Sequence, residues 1–378
     1  MQAPLRIERL SARRFRNLRV EGFEPGAHFN VIHGENGAGK SNLLEAIHIV
    51  AGHASFRGAR AEDLIALGEG DTEVLARVTS STVPNDVRVF LSRAAARRTE
   101  VNGKRPRSTA ALRSLVPIVL FHPGHLTLSA GGADGRRGYL DHALEQTDPA
   151  YAGARASYEK ALRSRNRLLK AERVDRRAVE AFDAILAETG AVIGSARASF
   201  IEVLSPRAEA VFAEVSGDVF PFHLAYAPRV EPKEAAIRAA LERSFEKDLA
   251  RGFTAEGPHA DDMSLVVRAD TNARHHVSQG QHRAIALALK VAELELLQRY
   301  TGRVPILLLD DVSSELDRAR NRRFFELLSR MGGQVFLTTT HPEYIQLAES
   351  RTDVFVEAGR LSVSGGSTAG VALGAGSV

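Results

Sequence analysis

The chain has 378 residues, of which 44% are hydrophobic and 25% are charged, and this is enough apolar material for two packed lobes. It contains no cysteine, which excludes disulfides and thiolate metal sites, and its formal net charge of +4 is compatible with a nucleic-acid partner without requiring one. The first residues lack the apolar core of a signal peptide and no uninterrupted apolar run approaches the ~18 residues of a membrane span, so we expect a soluble, cytoplasmic protein that does not bind membranes.

The first third of the chain predicts a mixed sheet. Apolar positions indicate an early strand near residue 7 and a buried strand over 29–32 that ends at Gly34. A helix is expected to begin near Lys40. Farther along, residues 74–91 alternate between apolar and polar side chains as strands do.

The middle of the chain changes to a helical pattern, from Asp134 to about residue 216. One helix face is predicted from side chains at three-and-four spacing: Tyr151, Ala154, Tyr158, Ala161, Leu162, Arg165, Leu168 and Leu169. Strands then resume, with apolar runs at 265–267, 306–309 and 335–337 that are typical of interior strands.

These changes predict a discontinuous architecture. Residues 1–133 and 217–361 form a head, residues 134–216 form a helical arm lobe inserted into it, and residues 362–378 are expected to be disordered because they are small and rich in glycine.

A complete phosphate-binding loop (P-loop) pattern lies between the buried strand and the first helix. The residues expected to contact nucleotide are Gly34, Glu35, Asn36, Gly37, Ala38, Gly39, Lys40, Ser41 and Asn42. Glycines allow consecutive backbone N–H groups to face phosphates, and the helix N-terminus adds partial positive charge. We expect Lys40 to act on the β- and γ-phosphates of ATP and the Ser41 hydroxyl to ligate Mg²⁺. A plain glycine-rich turn is the alternative, which the complete motif disfavours.

The apolar run at 306–309 ends in two carboxylates, Asp310 and Asp311. Such a strand delivers acidic groups to the sheet edge where phosphates bind. We expect Asp310 to hold Mg²⁺ through water and Asp311 to orient or deprotonate the attacking water. Alone, this pattern would indicate only a turn at a strand end, but the P-loop favours the functional interpretation.

A third element indicates the subclass of ATPase. Four residues precede a strongly helical stretch: Ser278, Gln279, Gly280 and Gln281. They could form only a helix N-cap. However, the order of P-loop, this segment, the Asp pair, residues 314–317 and finally His341 resembles the signature, D-loop and switch-histidine series of ABC-type ATPases. The resemblance implies that Ser278 contacts ATP bound to a partner subunit and that His341 takes part in catalysis.

Several stretches are similar to the RecF family, which is related to the chromosome-maintenance (SMC) ATPases. They are LSARRFRNL near the start, NVIHGENGAGKSNLLEAIHIV, Ser55-Phe56-Arg57, FHPGHLTLSAGGADGRRGYLD, Gly257-Pro258-His259, VSQGQHR and LLLDDVSSELD, and together they span about residues 5–360. The similarity implies recombinational repair of DNA gaps by an ATP-dependent homodimer. The dimer would close on duplex DNA or a duplex–gap junction, open on slow, DNA-stimulated hydrolysis, and act with RecR and RecO to load RecA.

Three positions depart from the expected pattern. Ala260 stands where this family commonly has arginine, and no glutamine occurs between Val116 and Asp141 to serve as the Mg²⁺-sensing residue of ABC enzymes. His122 is the nearest polar candidate for that role, although a lone histidine after an apolar strand is more often structural. Asp311 is shorter than the glutamate of transporter ATPases, which predicts slow turnover.

Basic residues predict a DNA-binding surface. Arg155 to Arg177 contain nine basic residues against three acidic ones, although a solvated helix face is the alternative. Asn102-Gly103 predicts a hairpin turn, and two basic residues, Lys104 and Arg105, follow it directly. The candidate DNA contacts are Arg57, Arg60, Lys104, Arg105, Arg163, Arg165 and Arg167. No base-reading module is evident, so binding should be to phosphates and independent of sequence.

Taken together, the motifs predict an α/β fold: an ABC-type ATPase head, which is a mixed sheet with a P-loop core, plus the inserted helical arm lobe. An ATPase subunit of another SMC- or ABC-type repair or nuclease complex is the alternative function. A transporter ATPase is disfavoured because the long insert between P-loop and signature is atypical of that class.

Overall fold

The computed structural model describes most of the chain. The described residues are 5–80, 83–217, 221–267, 271–311, 318–345, 347 and 351–364.

The strands are distributed along the whole length of the chain. They are β1 (Arg6–Phe15), β2 (Leu18–Phe23), β3 (Phe29–His33), β4 (Asp71–Ser80), β5 (Val83–Ser92), β6 (Arg98–Val101), β7 (Ile118–Phe121), β8 (Phe222–Ala227), β9 (Asp262–Val267), β10 (Thr271–Asn272), β11 (Ile306–Leu309), β12 (Val335–Thr339), β13 (Arg351–Glu357) and β14 (Arg360–Ser364).

Helices dominate the middle of the chain and cover the sheets. They are α1 (Lys40–Val50), α2 (Thr109–Leu115), α3 (Thr127–Ala130), α4 (Ala133–Thr147), α5 (Pro149–Leu169), α6 (Arg176–Ser216), α7 (Glu234–Arg251), α8 (Ala273–His276), α9 (Gln279–Thr301) and α10 (Arg318–Met331).

The described strands form three sheets. The first has the order β2-β1-β4-β5-β6 and is antiparallel, and the second has the order β10-β9-β8. The third has the order β14-β13-β3-β12-β11-β7, in which every neighbouring pair is parallel except β13 and β14. Strands β7, β11 and β12 are buried along their whole length, which explains their continuous apolar sequences. The mixed α/β fold predicted from the sequence is confirmed.

The parallel sheet determines where the site lies. Strands β3, β11 and β12 run side by side, so the P-loop, the Asp310–Asp311 pair and the segment after Thr339 all follow strand ends at one edge. Ligand sites in parallel sheets form at this edge. Helix α1 begins at Lys40, as the sequence predicted.

The predicted helical lobe is less separate than expected. Helices α4, α5 and α6 do occupy residues 134–216, but their buried faces share one hydrophobic core with strands β3 and β7 and helix α9. Helix α7 and strand β8, assigned to the head from sequence, pack against α6. Residues 134–216 are therefore helical, but they do not form a separately packed body.

Helix α6 is 41 residues long and ends at Ser216, and it is capped by Gly217, whose left-handed backbone (φ 66°) favours glycine. By length and composition alone α6 could cross a membrane. Within the 18-residue stretch that is apolar enough for this, 44% of the residues are buried. Helix α6 packs against α5, α7, α9 and β8. Core helices of similar length and hydropathy also meet these criteria, so this feature is weak evidence for a membrane span.

Arg165, predicted to contact DNA, is fully buried, and that prediction is wrong. Its guanidinium donates to Asp183 Oδ1 at 2.6 Å, Asp248 Oδ2 at 2.8 Å and Thr254 Oγ1 at 2.9 Å. The side chain therefore joins α5 to α6 and α7. Removing one partner of a buried ion pair costs about 3–5 kcal/mol because the other charge is left buried and unpaired, so we expect substitution of Arg165 to destabilise the fold.

The predicted start of the C-terminal tail, at residue 362, is too early in the chain. Residues 362–364 lie in β14, where Ser362 and Val363 pair with Phe355 and Val354 of β13. The prediction for residues 365–378 lies outside the described residues.

Candidate nucleotide site

The P-loop curls tightly between β3 and α1. Gly34 has φ 148° and Gly39, the N-cap of α1, has φ 120°. A Cβ on Gly34 would lie 2.3 Å from the Val356 carbonyl oxygen of β13, so only glycine fits there. The turn between β13 and β14 also contacts the loop, because the Gly359 N–H donates to Ala38 O at 2.9 Å.

Lys40 lies across the P-loop itself. Its Nζ donates to the carbonyl oxygens of Gly34 at 2.8 Å and Glu35 at 2.9 Å. Partial burial lowers the pKa of the Lys40 ammonium, while Asp311 and Asp310 act in the opposite direction. The charge of Lys40 therefore lies between the loop and the two carboxylates, which is where a nucleotide phosphate needs neutralisation.

A chain of hydrogen bonds supports the loop from the side. Asn17 Nδ2 donates to the carbonyl oxygens of Ala38 at 3.1 Å and Gly37 at 3.3 Å, and Asn17 Oδ1 accepts from Asn42 Nδ2 at 2.7 Å. Arg57 Nη1 then donates to Asn42 Oδ1 at 2.8 Å. Arg57, predicted as a DNA contact, is thus bonded to the nucleotide site.

The two aspartates are held by Thr338 at the end of β12. The Thr338 hydroxyl donates to Asp310 Oδ1 at 2.8 Å and accepts from the Asp311 backbone N–H at 3.0 Å. Asp310 is buried, whereas Asp311 is partly exposed and has φ 53°, an uncommon conformation outside glycine and asparagine. Functional sites often hold residues in such backbone conformations.

These groups surround a cavity of about 380 Å³. Its lining residues are Arg16, Asn36, Gly37, Gly39, Lys40, Ser41, Asn42, Arg57, Asp311, Thr338 and Thr340. The cavity combines a P-loop, a lysine, a hydroxyl for a metal and a carboxylate, and this set is suited to a nucleoside triphosphate with Mg²⁺.

The predicted signature segment lies apart from this cavity. Ser278 is exposed and caps α9: its Oγ accepts from Gln281 N at 3.3 Å, and Gln281 Oε1 accepts from Ser278 N at 2.9 Å. None of residues 278–281 lines the cavity of the same chain. The predicted D-loop, residues 314–317, lies outside the described residues.

His341 is exposed after β12, and its Nδ1 lies 3.0 Å from Glu343 Oε1. Thr340, its neighbour, lines the cavity, whereas His341 does not. His122 follows β7 beside Asp310, whose N–H donates to Phe121 O at 2.8 Å. Burial, with a smaller effect of Lys290, lowers the pKa of His122 to about 4, so its ring is neutral at pH 7. Ala260 is exposed.

The other DNA candidates lie on the surface. Arg60, Lys104, Arg105, Arg163 and Arg167 are all exposed. Asn102 and Gly103 both have positive φ, as a two-residue hairpin turn requires, and this confirms the turn before Lys104.

Sequence reasoning missed four residues that build the site: Arg16, Asn17, Thr338 and Thr340. Asn17 lies in the LSARRFRNL stretch, which contributed to the family resemblance but for which no structural role was predicted. The two threonines precede His341 in the sequence and could have been found from the rule that parallel strand ends meet at one edge.

This geometry and two comparisons define the class. The family model described as "RecF/RecN/SMC N terminal domain" matches residues 6–362. The Smc head domain of Pyrococcus furiosus, solved with an extended coiled coil and the C-terminal domain of ScpA, has the same fold, with a TM-score of 0.57 and 19% identity over 95% of this chain and 96% of that one. The protein is an ABC-type ATPase head of the SMC branch.

Two further comparisons identify the family within this class. The DNA replication and repair protein RecF of Myxococcus xanthus is 37% identical over 364 residues, or 93% of this chain and 95% of that protein. A solved structure of the recombination mediator protein RecF-ATP in the RecFOR pathway gives a TM-score of 0.87 and 29% identity over 97% of this chain and 99% of that one. The chain belongs to the RecF family.

Proposed function

We propose that this protein is a DNA-repair ATPase that binds ATP between two copies of the chain and uses the resulting dimer to close on DNA. The observation that supports this most directly is that the predicted ATP-binding residues of one chain do not all lie around one cavity. One chain supplies the P-loop, Lys40 and Asp311 around one cavity, while its Ser278 lies exposed at the start of a 23-residue helix and outside that cavity. An exposed helix N-terminus binds anions, so a second copy can supply Ser278 to the γ-phosphate.

Within each site the residues have separate roles. Lys40 and the P-loop N–H groups neutralise and orient the β- and γ-phosphates. Ser41 offers a hydroxyl, and Asp310, fixed by Thr338, offers a carboxylate; this oxygen-only set fits Mg²⁺. When bound, Mg²⁺ would neutralise charge on the phosphates. Arg57, fixed by Asn42, adds a positive charge to the same cavity.

Asp311 orients the attacking water and accepts its proton. Its partly exposed carboxylate borders the cavity, and its backbone is fixed by the bond to Thr338. An aspartate reaches less far than a glutamate, which favours slow turnover and therefore a switch instead of a motor. Slow hydrolysis would keep the dimer on DNA long enough for later steps and then release it.

An Asp311→Asn chain is expected to keep ATP and Mg²⁺ binding but to hydrolyse ATP about 100-fold more slowly, because it lacks the proton acceptor. Asparagine tolerates the φ of 53° at this position, so the backbone should not change. Single-turnover hydrolysis and sedimentation with DNA would measure the slow step and the accumulation of DNA-bound dimers. Asp134→Asn, whose side chain is 96% exposed, is the matched control. Normal turnover in Asp311→Asn would assign the catalytic carboxylate to another residue.

The proposed DNA surface includes the exposed side of α5. Lys160, Arg163 and Arg167 are exposed along one face, while Arg165 and Tyr158 point into the core. The spacing of the exposed residues places them on one side of the helix. We expect them to contact phosphates of duplex DNA without reading its sequence.

Replacing Arg163 and Arg167 together by glutamine should weaken binding to all DNA sequences alike. The dependence of log affinity on log salt should fall by up to about 0.9 for each lost phosphate contact. Fluorescence anisotropy across a salt series, on two unrelated duplexes, would measure both effects. Arg238→Gln with Arg243→Gln, two exposed arginines on α7, controls for net charge. If affinity and salt slope match those of the control, α5 is only a solvated helix face.

The family relationship extends this proposal to the cell. We propose that the dimer acts in the cytoplasm at duplex–gap junctions, with RecR and RecO, and supports loading of RecA on single-stranded DNA. What supports this is membership of the RecF family and the RecFOR pathway named for the solved relative. The ATPase experiments above test the catalytic part of the proposal independently of these partners.

A further inference from the structure

Glu45 of α1 is fully buried, and both of its carboxylate oxygens accept hydrogen bonds. Its Oε2 accepts from Arg16 Nε, while its Oε1 accepts from Arg16 Nη2 at 3.1 Å and from the Ser55 hydroxyl. Glu45 does not line the nucleotide cavity. Both of its partners, however, lead to that cavity from outside.

Arg16 lines the nucleotide cavity and is held from two directions. Its backbone has φ 50°, which is uncommon for arginine, and its N–H donates to Leu64 O at 2.8 Å. Its side chain is 21% exposed and forms a bidentate pair with Glu45. Such a pair fixes the plane of the guanidinium as well as its position. The Arg16 guanidinium is therefore held in one orientation at the cavity wall.

The Ser55 hydroxyl connects the same carboxylate to the turn that carries Arg57. Its Oγ donates to Glu45 and accepts from the backbone N–H groups of Arg57 and Ala59, both at 3.2 Å. Arg57 extends from this turn to line the cavity and donates to Asn42 Oδ1 at 2.8 Å. Glu45 is thus bonded directly to one cavity arginine and, through one hydroxyl, to the turn that carries the other.

Three cationic side chains line this cavity: Arg16, Lys40 and Arg57. Like charges repel one another, so three cations around one cavity do not keep a common orientation unless other groups hold them. Glu45 pairs with one of the three from outside the cavity, and it leaves the cavity itself free for a ligand. This arrangement organises positive charge before the nucleotide arrives.

We propose that Glu45 is a positioning residue for nucleotide binding. It holds Arg16, and through Ser55 the turn of Arg57, in the orientation that meets the phosphates of ATP. This role rests on the proposed function, because it concerns the same cavity. Groups that are ordered before binding lower the entropy cost of binding. The phosphate charge is present both before and during hydrolysis, so loss of the positioning should raise KM for ATP and leave kcat nearly unchanged.

The first test compares steady-state ATP hydrolysis by the wild type and by Glu45→Gln at one protein concentration. KM for ATP should rise about tenfold, which is typical of losing one charge-assisted hydrogen bond. The value of kcat should change by less than about threefold, whereas a partly unfolded protein would lose kcat and keep its KM. Melting without nucleotide would confirm that the variant is folded.

The matched control is Glu293→Gln. Glu293 of α9 is also fully buried and pairs with a cation, because its Oε2 accepts from Lys290 Nζ at 2.8 Å, but neither residue lines the nucleotide cavity. This control should lower the melting temperature and leave KM for ATP unchanged. An equal rise of KM in Glu293→Gln and in Glu45→Gln would show a general loss of stability and overturn the proposed role.

The second test changes Arg16 and leaves Glu45 intact. Lysine keeps the positive charge but cannot form the bidentate pair, so KM should rise in Arg16→Lys as it does in Glu45→Gln. In a chain that combines Arg16→Gln with Glu45→Gln, the rise of KM should be smaller than the product of the two single rises, because both changes break the same pair.

Three further results would each overturn the proposal: a wild-type KM in folded Glu45→Gln, a wild-type KM in Arg16→Lys, and a double variant that shows the full product of the single effects. Arg16→Lys decides the question if Glu45→Gln does not fold, because Arg16 is partly exposed. A wild-type chain that neither binds nor hydrolyses ATP would instead refute the proposed function. The two failures are therefore distinguishable.

Discussion

A Lys40→Met chain is expected to lose ATP hydrolysis by at least about 100-fold, the loss typical of removing one preorganised charge-stabilising group. Lys40 is the lysine that lines the cavity, and methionine has a similar length without the charge. The fold should survive, because the Lys40 bonds to Gly34 and Glu35 lie at the partly exposed loop. Nucleotide titration and steady-state turnover would measure the loss.

The matched control is Lys247→Met, an exposed lysine on α7. Both variants should have the melting temperature of the wild type in the absence of nucleotide. A folded Lys40→Met chain with normal ATP affinity and turnover would remove the P-loop assignment, and with it the proposed function.

The second large effect is expected from mixing two inactive chains. A Ser278→Arg chain keeps its P-loop but cannot complete its partner's site, and a Lys40→Met chain has the opposite defect. Each alone should be nearly inactive. A mixed dimer contains one site with both defects and one intact site, formed by the P-loop of the Ser278→Arg chain and Ser278 of the Lys40→Met chain. DNA-dependent hydrolysis should therefore return in part on mixing.

The control for Ser278 is Ser278→Thr, which keeps a hydroxyl and the N-cap of α9. If the two sites fire only together, activity will not return, but sedimentation should still detect ATP-dependent mixed dimers more readily than either mutant homodimer. Recovery of neither activity nor dimers would exclude a site shared through Ser278.

The sequence predicted the local motifs well because each is a continuous pattern. The P-loop needs a strand, glycines and a helix start in immediate succession, and the structure has this order at Gly34–Lys40. The N-cap of α9 at Ser278 follows from residues at fixed spacing. The catalytic roles of Lys40, Asp311, Ser278 and His341 remain predictions, because they depend on a nucleotide and a second chain.

Residues that are joined only by folding were harder to predict. Arg165 shares a helix face with Tyr158 and Leu162, and that spacing indicated burial, but its two aspartate partners come from α6 and α7. The positive charge of Arg165, considered alone, favoured a position on the protein surface and therefore a contact with DNA.

The hairpin of β13 and β14 has a genetic consequence. Its backbone contacts Gly34 through Val356 and Ala38 through Gly359, so a segment from the C-terminal part of the chain completes the wall of a loop encoded near the start of the gene. A nonsense codon shortly before residue 351 would leave the P-loop, Ser278, the two aspartates and His341 in the translated product. The truncated product would still lack a sheet strand beside β3, so such an allele should behave as a null despite its intact motifs.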